Sequence, residues 1–148
     1  MVGYTMEADA DTTSRAIGKE MQISPKFSRE ICRMLKGKPV NDALKMLEEV
    51  AELTRPVPIR RYNIGVAHKQ GVGPGRYPVK AAKAIHKVIE SAKSNAEYKG
   101  LDADNMRVKV IAAHLGRTIA GYMPRAHGRS TPWNQQTVNV EVILEEMS

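Results

Sequence analysis

Residues 115–136 read LGRTIAGYMPRAHGRSTPWNQQ, and they separate two segments with the two-residue period of a β-strand. Met106, Val108, Val110 and Ala112 alternate with Arg107, Lys109 and Ile111 before this stretch. Val138, Val140, Val142 and Leu144 alternate with Thr137, Asn139 and Glu141 after it. The two segments are expected to pair as a hairpin. The 22 residues between them carry Arg117, Arg125, His127 and Arg129 among Gly116, Gly121, Pro124, Gly128 and Pro132, with no acidic residue. A compact domain gains nothing from so long a connection, so it reads as an arm; ten extended residues per side reach about 33 Å.

Upstream, the pattern turns helical. Ile17, Met21 and Ile23 fit a half-buried strand over 14–23, interrupted by Gly18. Ser24-Pro25 reads as an N-cap followed by proline at the first helical position. Phe27, Ile31, Met34 and Leu35 then recur at helical spacing until Gly37. Lys26, Arg29, Arg33 and Lys36 occupy another face of that helix, with Lys38 just beyond. A second helix is expected from Val40 to Leu53, with Ala43, Leu44, Leu47, Val50 and Ala51 inward and Glu48, Glu49 and Glu52 outward. The third, from Pro78 to about Lys99, turns Ile85, Val88, Ile89, Ala92 and Ala96 inward and sets Lys80, Lys83 and Lys87 along an outer stripe. Between the last two helices lies a Gly/Pro-rich stretch, 55–76, with five basic residues and no acid, read as a long loop. Residues 1–12 are polar, acidic and without period, and are expected to be mobile.

Charge narrows the function. The chain has 148 residues, 23 Lys plus Arg against 16 Asp plus Glu, and a net charge of +7. The excess is local: residues 55–129 carry 15 basic and four acidic residues, while the remainder is net acidic. A contiguous basic block favours a polyanion through counterion release, nucleic acid ahead of an anionic membrane. A single Cys32 makes neither an intramolecular disulfide nor a Cys-rich zinc site, so a reduced, cytoplasmic setting without metal or other cofactor is expected. Glu7, Asp9, Asp11 and Glu20 are unlike a signal peptide. No apolar run approaches the roughly 20 residues of a membrane span.

Catalysis finds little support. His68, His86, His114 and His127 fall at spacings that match no local ligand motif. Glu48, Glu49 and Glu52 sit where a solvated helix face is expected. The run Gly71-Val72-Gly73-Pro74-Gly75 lacks the preceding strand pattern and the Gly-Lys-Ser/Thr of a nucleotide loop, and fits a flexible contact to phosphates better. Cys32 reads as a small buried residue. With few aromatics, the basic surfaces favour phosphate and groove contacts, hence folded RNA. The residues expected to bind it are Lys26, Arg29, Arg33, Lys36 and Lys38 around helix one; Arg60, Arg61, Tyr62, Asn63, Lys69 and Arg76 in the loop; Lys80, Lys83 and Lys87 on helix three; and Arg117, Arg125, His127 and Arg129 in the arm. A free-standing RNA- or DNA-binding regulator would use the same surface.

Ile23-Ser24-Pro25-Lys26, Gly37-Lys38-Pro39-Val40 leading into Asp42-Ala43-Leu44, Arg60-Arg61-Tyr62-Asn63, the run from Ser94 to Asp102 and Arg125-Ala126-His127-Gly128-Arg129 recur in order across about Ser14 to Glu145. In these the chain resembles the universal large-subunit ribosomal protein family numbered twenty-two in bacterial naming, in its archaeal and eukaryotic form. The resemblance implies an α+β fold, three helices packed on a small antiparallel sheet with a long protruding β-hairpin. It implies one rRNA-binding domain over 13–148, with an insertion at 55–76, a hairpin arm at about 107–142 and its tip at about 117–129. It further implies a structural, non-enzymatic role in the ribosome. Large-subunit rRNA and neighbouring ribosomal proteins would be partners of the body, and the arm would line the polypeptide exit tunnel. Ile119, Tyr122, Met123, Pro124 and Arg125 would then face the nascent peptide at the tip.

Overall fold

A computed structural model describes residues 3–147. The chain runs β1 (Thr13–Met21), α1 (Pro25–Leu35), α2 (Val40–Ala51), β2 (Val57–Pro58), β3 (His68–Lys69), β4 (Gly73–Arg76), α3 (Val79–Tyr98), β5 (Met106–Ile119), β6 (Tyr122–Pro124), β7 (Ser130–Pro132) and β8 (Gln135–Glu146). Strands β1, β8 and β5 form an antiparallel sheet with β8 in the centre. Helix α3 packs on β1 and β8, α1 on β5, and α2 on α3. The fold is therefore α+β, three helices on a small antiparallel sheet.

Helical periodicity produced this core. Ile31 and Leu35 of α1, Val40, Ala43, Leu47 and Val50 of α2, and Ile85, Ile89, Ala92 and Ala96 of α3 are all buried. Fully burying side chains of the Leu or Ile class stabilises by about 1.5–3 kcal/mol each, which a chain poor in aromatics needs. Leu44 and Ala51, expected inward, are only half-buried. Gly37 ends α1 at φ 79° and donates its N–H to the carbonyl of Val108 at 2.9 Å. The Ser24 side chain makes no capping bond; its carbonyl instead accepts the N–H and hydroxyl of Ser28. Gly18 sits in β1 because α3 presses on it: a Cβ there would lie 2.7 Å from a Val88 methyl.

Three expectations need correction. The alternation in β5 breaks at a bulge, because Val108 pairs with Leu144 but Val110 already pairs with Ile143. Lys109, the extra residue, bonds Glu145, and Ile111 rather than Val110 or Ala112 enters the core. In β8, Thr137, Asn139 and Glu141 are as buried as the valines between them. A central strand is covered on both faces, and its outer face is partly covered by the N-terminal segment. Finally, the stretch 55–76 is not simply a loop: β2, β4 and β3 form a second small sheet in that order, with Gly73–Arg76 in its middle. Val57 and Ile59 anchor that sheet in buried positions.

Residues 3–12 form no helix or strand, yet they are tied to the body. The Thr5 N–H donates to Glu141 at 2.9 Å, Tyr4 lies under the Arg15 guanidinium at 5.3 Å, and Lys99 donates to the Ala10 carbonyl. Met1 and Val2, also expected to be mobile, lie outside the described residues.

The pairing of β5 with β8 runs from Met106–Glu146 out to Ile119–Gln135. It resumes in β6 and β7 from Tyr122–Pro132 to Pro124–Ser130. Arg125 and Arg129 close the end, the N–H of Arg125 donating to the Arg129 carbonyl at 2.8 Å. No residue from 114 to 136 is buried. Gly121 allows the interruption, since a Cβ there would meet the Trp133 carbonyl oxygen at 2.7 Å.

Candidate nucleic-acid interface

Glu30 organises the densest basic cluster. It is buried on α1, where its carboxylate accepts the N–H groups of Arg60 and Arg61 at 3.4 and 3.2 Å and faces Arg33 at 3.6 Å. These bonds pin the turn after β2 against the helix. Tyr62 is held there at φ 57°, a left-handed conformation uncommon for a non-glycine residue. Lys26, Arg61 and Arg29 place their charges 5.0, 5.3 and 5.8 Å from its ring centroid. Arg76, from β4, lines the same cleft of about 260 Å³ with Lys26, Glu30, Arg61, Tyr62 and Ile64. Residues far apart in the chain thus meet on one surface. Arg60 and Asn63 are exposed beside it, while Lys69 lies 5.3 Å from the Tyr77 ring.

Lys36 and Lys38 stand apart. They follow the other end of α1, where the chain crosses onto β5 through the Val108 N–H donating to the Lys38 carbonyl at 2.8 Å. Lys38 shares its surroundings with Asp42, Lys45, Glu49 and Arg55, a mixed surface rather than a basic one.

Lys80, Lys83 and Lys87 are all exposed along α3. Lys83 and Lys87 flank a shallow groove with Ile17, Met21 and Val88. Lys80 lines a larger groove of about 570 Å³, bounded by Ser24 and Pro25 at the start of α1, Pro78 at the start of α3 and Asn134 to Gln136 at the root of the arm. Neither helix carries an acidic residue in its first turn. The positive ends of both helix dipoles are therefore left uncompensated at that groove.

The arm presents Arg117, Arg125, His127 and Arg129 to solvent. Arg125 Nε donates to the Thr131 hydroxyl at 3.0 Å. At the tip Tyr122 is exposed, with Pro124 and Arg125, whereas Ile119 and Met123 are half-buried. Trp133, absent from the residues expected from sequence, is 61 % exposed opposite Gly121. The signal was present in the sequence: a lone tryptophan inside an acid-free segment.

Apart from Glu30 and the mixed surface at Lys38, several carboxylates are taken up by other cations. Glu49 pairs with Arg55, Asp104 with Lys93 at 2.8 Å, and Glu145 with Arg107 at 2.9 Å and with Lys109. Hydrogen bonds from Lys109 and Arg107 hold the Glu145 carboxyl below its ordinary range. Of the basic side chains expected to meet RNA, only that of Arg33 has a carboxylate partner among the described residues. Several of the groups considered for catalysis have structural contacts instead. Glu48 and Glu90 lie 3.3 Å from the two nitrogens of His86, and His114 lies 3.3 Å from Glu141. Burial pushes the Cys32 thiol up to about 12. Among the described residues, no group of three or more His, Cys, Asp or Glu side chains is arranged to hold a metal, and no helix is long and apolar enough to cross a membrane.

Residues 16–145 match the family described as Ribosomal protein L22p/L17e. The chain belongs to that family. Among curated relatives, the large ribosomal subunit protein uL22 of Methanocaldococcus jannaschii is 49 % identical over 146 residues, covering 97 % of this chain and 94 % of its own. The protein of the same name from Methanopyrus kandleri is 47 % identical over 144 residues, covering 95 % and 91 %. That from Methanococcoides burtonii is 46 % identical over 147 residues, covering 99 % and 97 %. The L22p/L17e family is one of ribosomal structural proteins, not of enzymes. Its matched segment starts within β1 and ends near the close of β8, so it takes in both basic surfaces of the body and the whole arm.

Proposed function

We infer that this chain is a structural constituent of the large ribosomal subunit that binds and organises rRNA, with its arm lining part of the polypeptide exit tunnel. Its compartment is then the cytoplasm, where ribosomes work. The observation that carries the reading is the sorting of charge: among the described residues, the cations around Tyr62, Lys80, Lys83 and Lys87 of α3, and Arg117, Arg125 and Arg129 of the arm lack carboxylate partners, apart from Arg33, while Arg55, Lys93, Arg107 and Lys109 are neutralised by Glu49, Asp104 and Glu145. Unpaired cations on projecting elements are what a phosphate backbone recruits, releasing condensed counterions as it binds. The acidic outer face of α2 points toward neighbouring ribosomal proteins. Exposed Tyr122, Pro124 and Arg125 suit a wall that a nascent peptide slides along.

Sucrose-gradient fractionation of cell extract tests the subunit role, with one copy per large subunit as the expected result. A chain that sediments free of the subunit would be a separate nucleic-acid-binding regulator. For the tunnel, Tyr122→Cys offers an accessible thiol in a chain whose own cysteine is buried. On ribosomes carrying a stalled peptide, cross-linking from this position to the peptide is expected; its absence refutes the assignment of the tip.

A further inference from the structure

Phosphate anchoring needs cations alone, yet the densest cationic cluster on the body is built around an aromatic ring. Tyr62 is 60 % exposed although three cations lie within 6 Å of it, so they leave much of the ring uncovered. Its backbone sits in the left-handed region, which costs a non-glycine residue on the order of 1 kcal/mol and persists only where the surroundings enforce it. The enforcing contact is the buried Glu30 carboxylate, which takes the N–H groups of both preceding residues. Beside the ring, the cleft has apolar walls at Ile59 and Val66 and cationic ones at Lys26, Arg61 and Arg76, and Ile64 stands almost fully exposed at its edge.

We propose that this cleft seats one unpaired nucleotide of the bound RNA, its base stacked on the Tyr62 ring and its phosphates between Lys26, Arg61 and Arg76. This rests on the rRNA-binding reading above and gives one part of that surface a ligand. Within a helix the faces of bases are stacked on one another and only edges and backbone are presented, so a ring face can be used only by a base turned out of a bulge or loop. A volume of about 260 Å³ suits a single nucleotide and excludes a duplex. The Glu30 oxygens already accept the N–H groups of Arg60 and Arg61 and face Arg33, so recognition rests on stacking and charge, which every base can satisfy.

The test uses the full chain with protein-free large-subunit rRNA, comparing the natural sequence with Tyr62→Phe, Tyr62→Ala and Arg61→Ala. Stacking of one base is worth about 1–3 kcal/mol, so Tyr62→Ala is expected to weaken binding about 5- to 150-fold while Tyr62→Phe retains it. The slope of log affinity against log salt is expected to stay unchanged in Tyr62→Ala and to fall by about one in Arg61→Ala. Acylation of RNA 2′-hydroxyls is expected to show at least one unpaired nucleotide constrained by the natural chain and by Tyr62→Phe but free with Tyr62→Ala. Equal affinity and equal reactivity for Tyr62→Ala overturn the nucleotide seat while leaving RNA binding intact. Absence of salt-dependent binding by the natural chain overturns the rRNA reading itself. Melting curves that coincide for all four chains show that the exposed ring is not needed for folding.

Discussion

Replacing residues 119–135 by Asn-Gly is expected to leave a folded body and a weaker RNA ligand. Thr118 and Gln136 are paired across the ladder just before the cut, and Asn-Gly is the two-residue turn that suits such a pair. None of the 17 residues removed is buried, so no core contact is lost. The solvent-facing ladder bonds of β6 and β7 contribute little, and closing a shorter loop favours the folded state by up to about 2 kcal/mol. The net change is then within about 2 kcal/mol of zero, and the melting temperature within about 8 °C. The excised segment carries Arg125 and Arg129 and no carboxylate. Losing two phosphate contacts lowers the magnitude of the salt slope by about 1.4–1.8. Circular dichroism during heating reads the first effect, since the only tryptophan leaves with the arm. Filter binding to large-subunit rRNA across a salt series reads the second. Loss of cooperative melting would show that the arm is part of the folding unit. An unchanged slope would show that its arginines do not touch the polyanion.

Cys32 is expected to resist a disulfide reagent at pH 8 in the native chain and to react once per chain after unfolding in guanidinium, because burial pushes its thiol up to about 12; prompt native reaction refutes this packing. Burial opposes ionisation of Glu141, but the Thr5 hydroxyl and N–H together with His114 outweigh it and hold the carboxyl below its ordinary 4.5. The unfolded state therefore binds more protons, and this contribution is fully present above pH 4.5 and lost as pH falls through the lower native value. Glu141→Gln is expected to cost about 1–3 kcal/mol at pH 7, with the gap between the two melting temperatures narrowing below pH 4.5; a gap independent of pH refutes the assignment.

Much of the fold was legible because it repeats locally. Ile85, Val88, Ile89, Ala92 and Ala96 lie on one face of any helix built from that segment, and they are buried. The strand pair flanking the arm was equally readable from its alternation. Where the reading failed, a long-range contact had overruled the local pattern. Lys109 is bulged out of β5 and bonds Glu145, which shifts the side chains that follow by one position as far as Leu115, where the register shifts again. Glu141 looks like a surface residue in an alternating strand, but it lies in the central strand and receives bonds from Thr5, 136 residues away. The small sheet at 55–76 has strands of two to four residues, too short to show a period.

The candidate site divides in the same way. The sequence by itself determined which segments are basic, that the arm has no acidic residue, and that catalysis lacked a motif, because charge and composition are properties of residues wherever they fold. Only the tertiary structure decided which cations stay free of carboxylates, since ion pairs such as Arg55 with Glu49 and Lys109 with Glu145 depend on distances in space. It also brought Lys26, Arg29, Arg61 and Arg76 around one tyrosine, and it set Lys36 and Lys38 apart from them at the far end of α1. The physical reason is a single buried carboxylate, Glu30, that fixes a turn some thirty residues away, a bond that no local pattern could disclose.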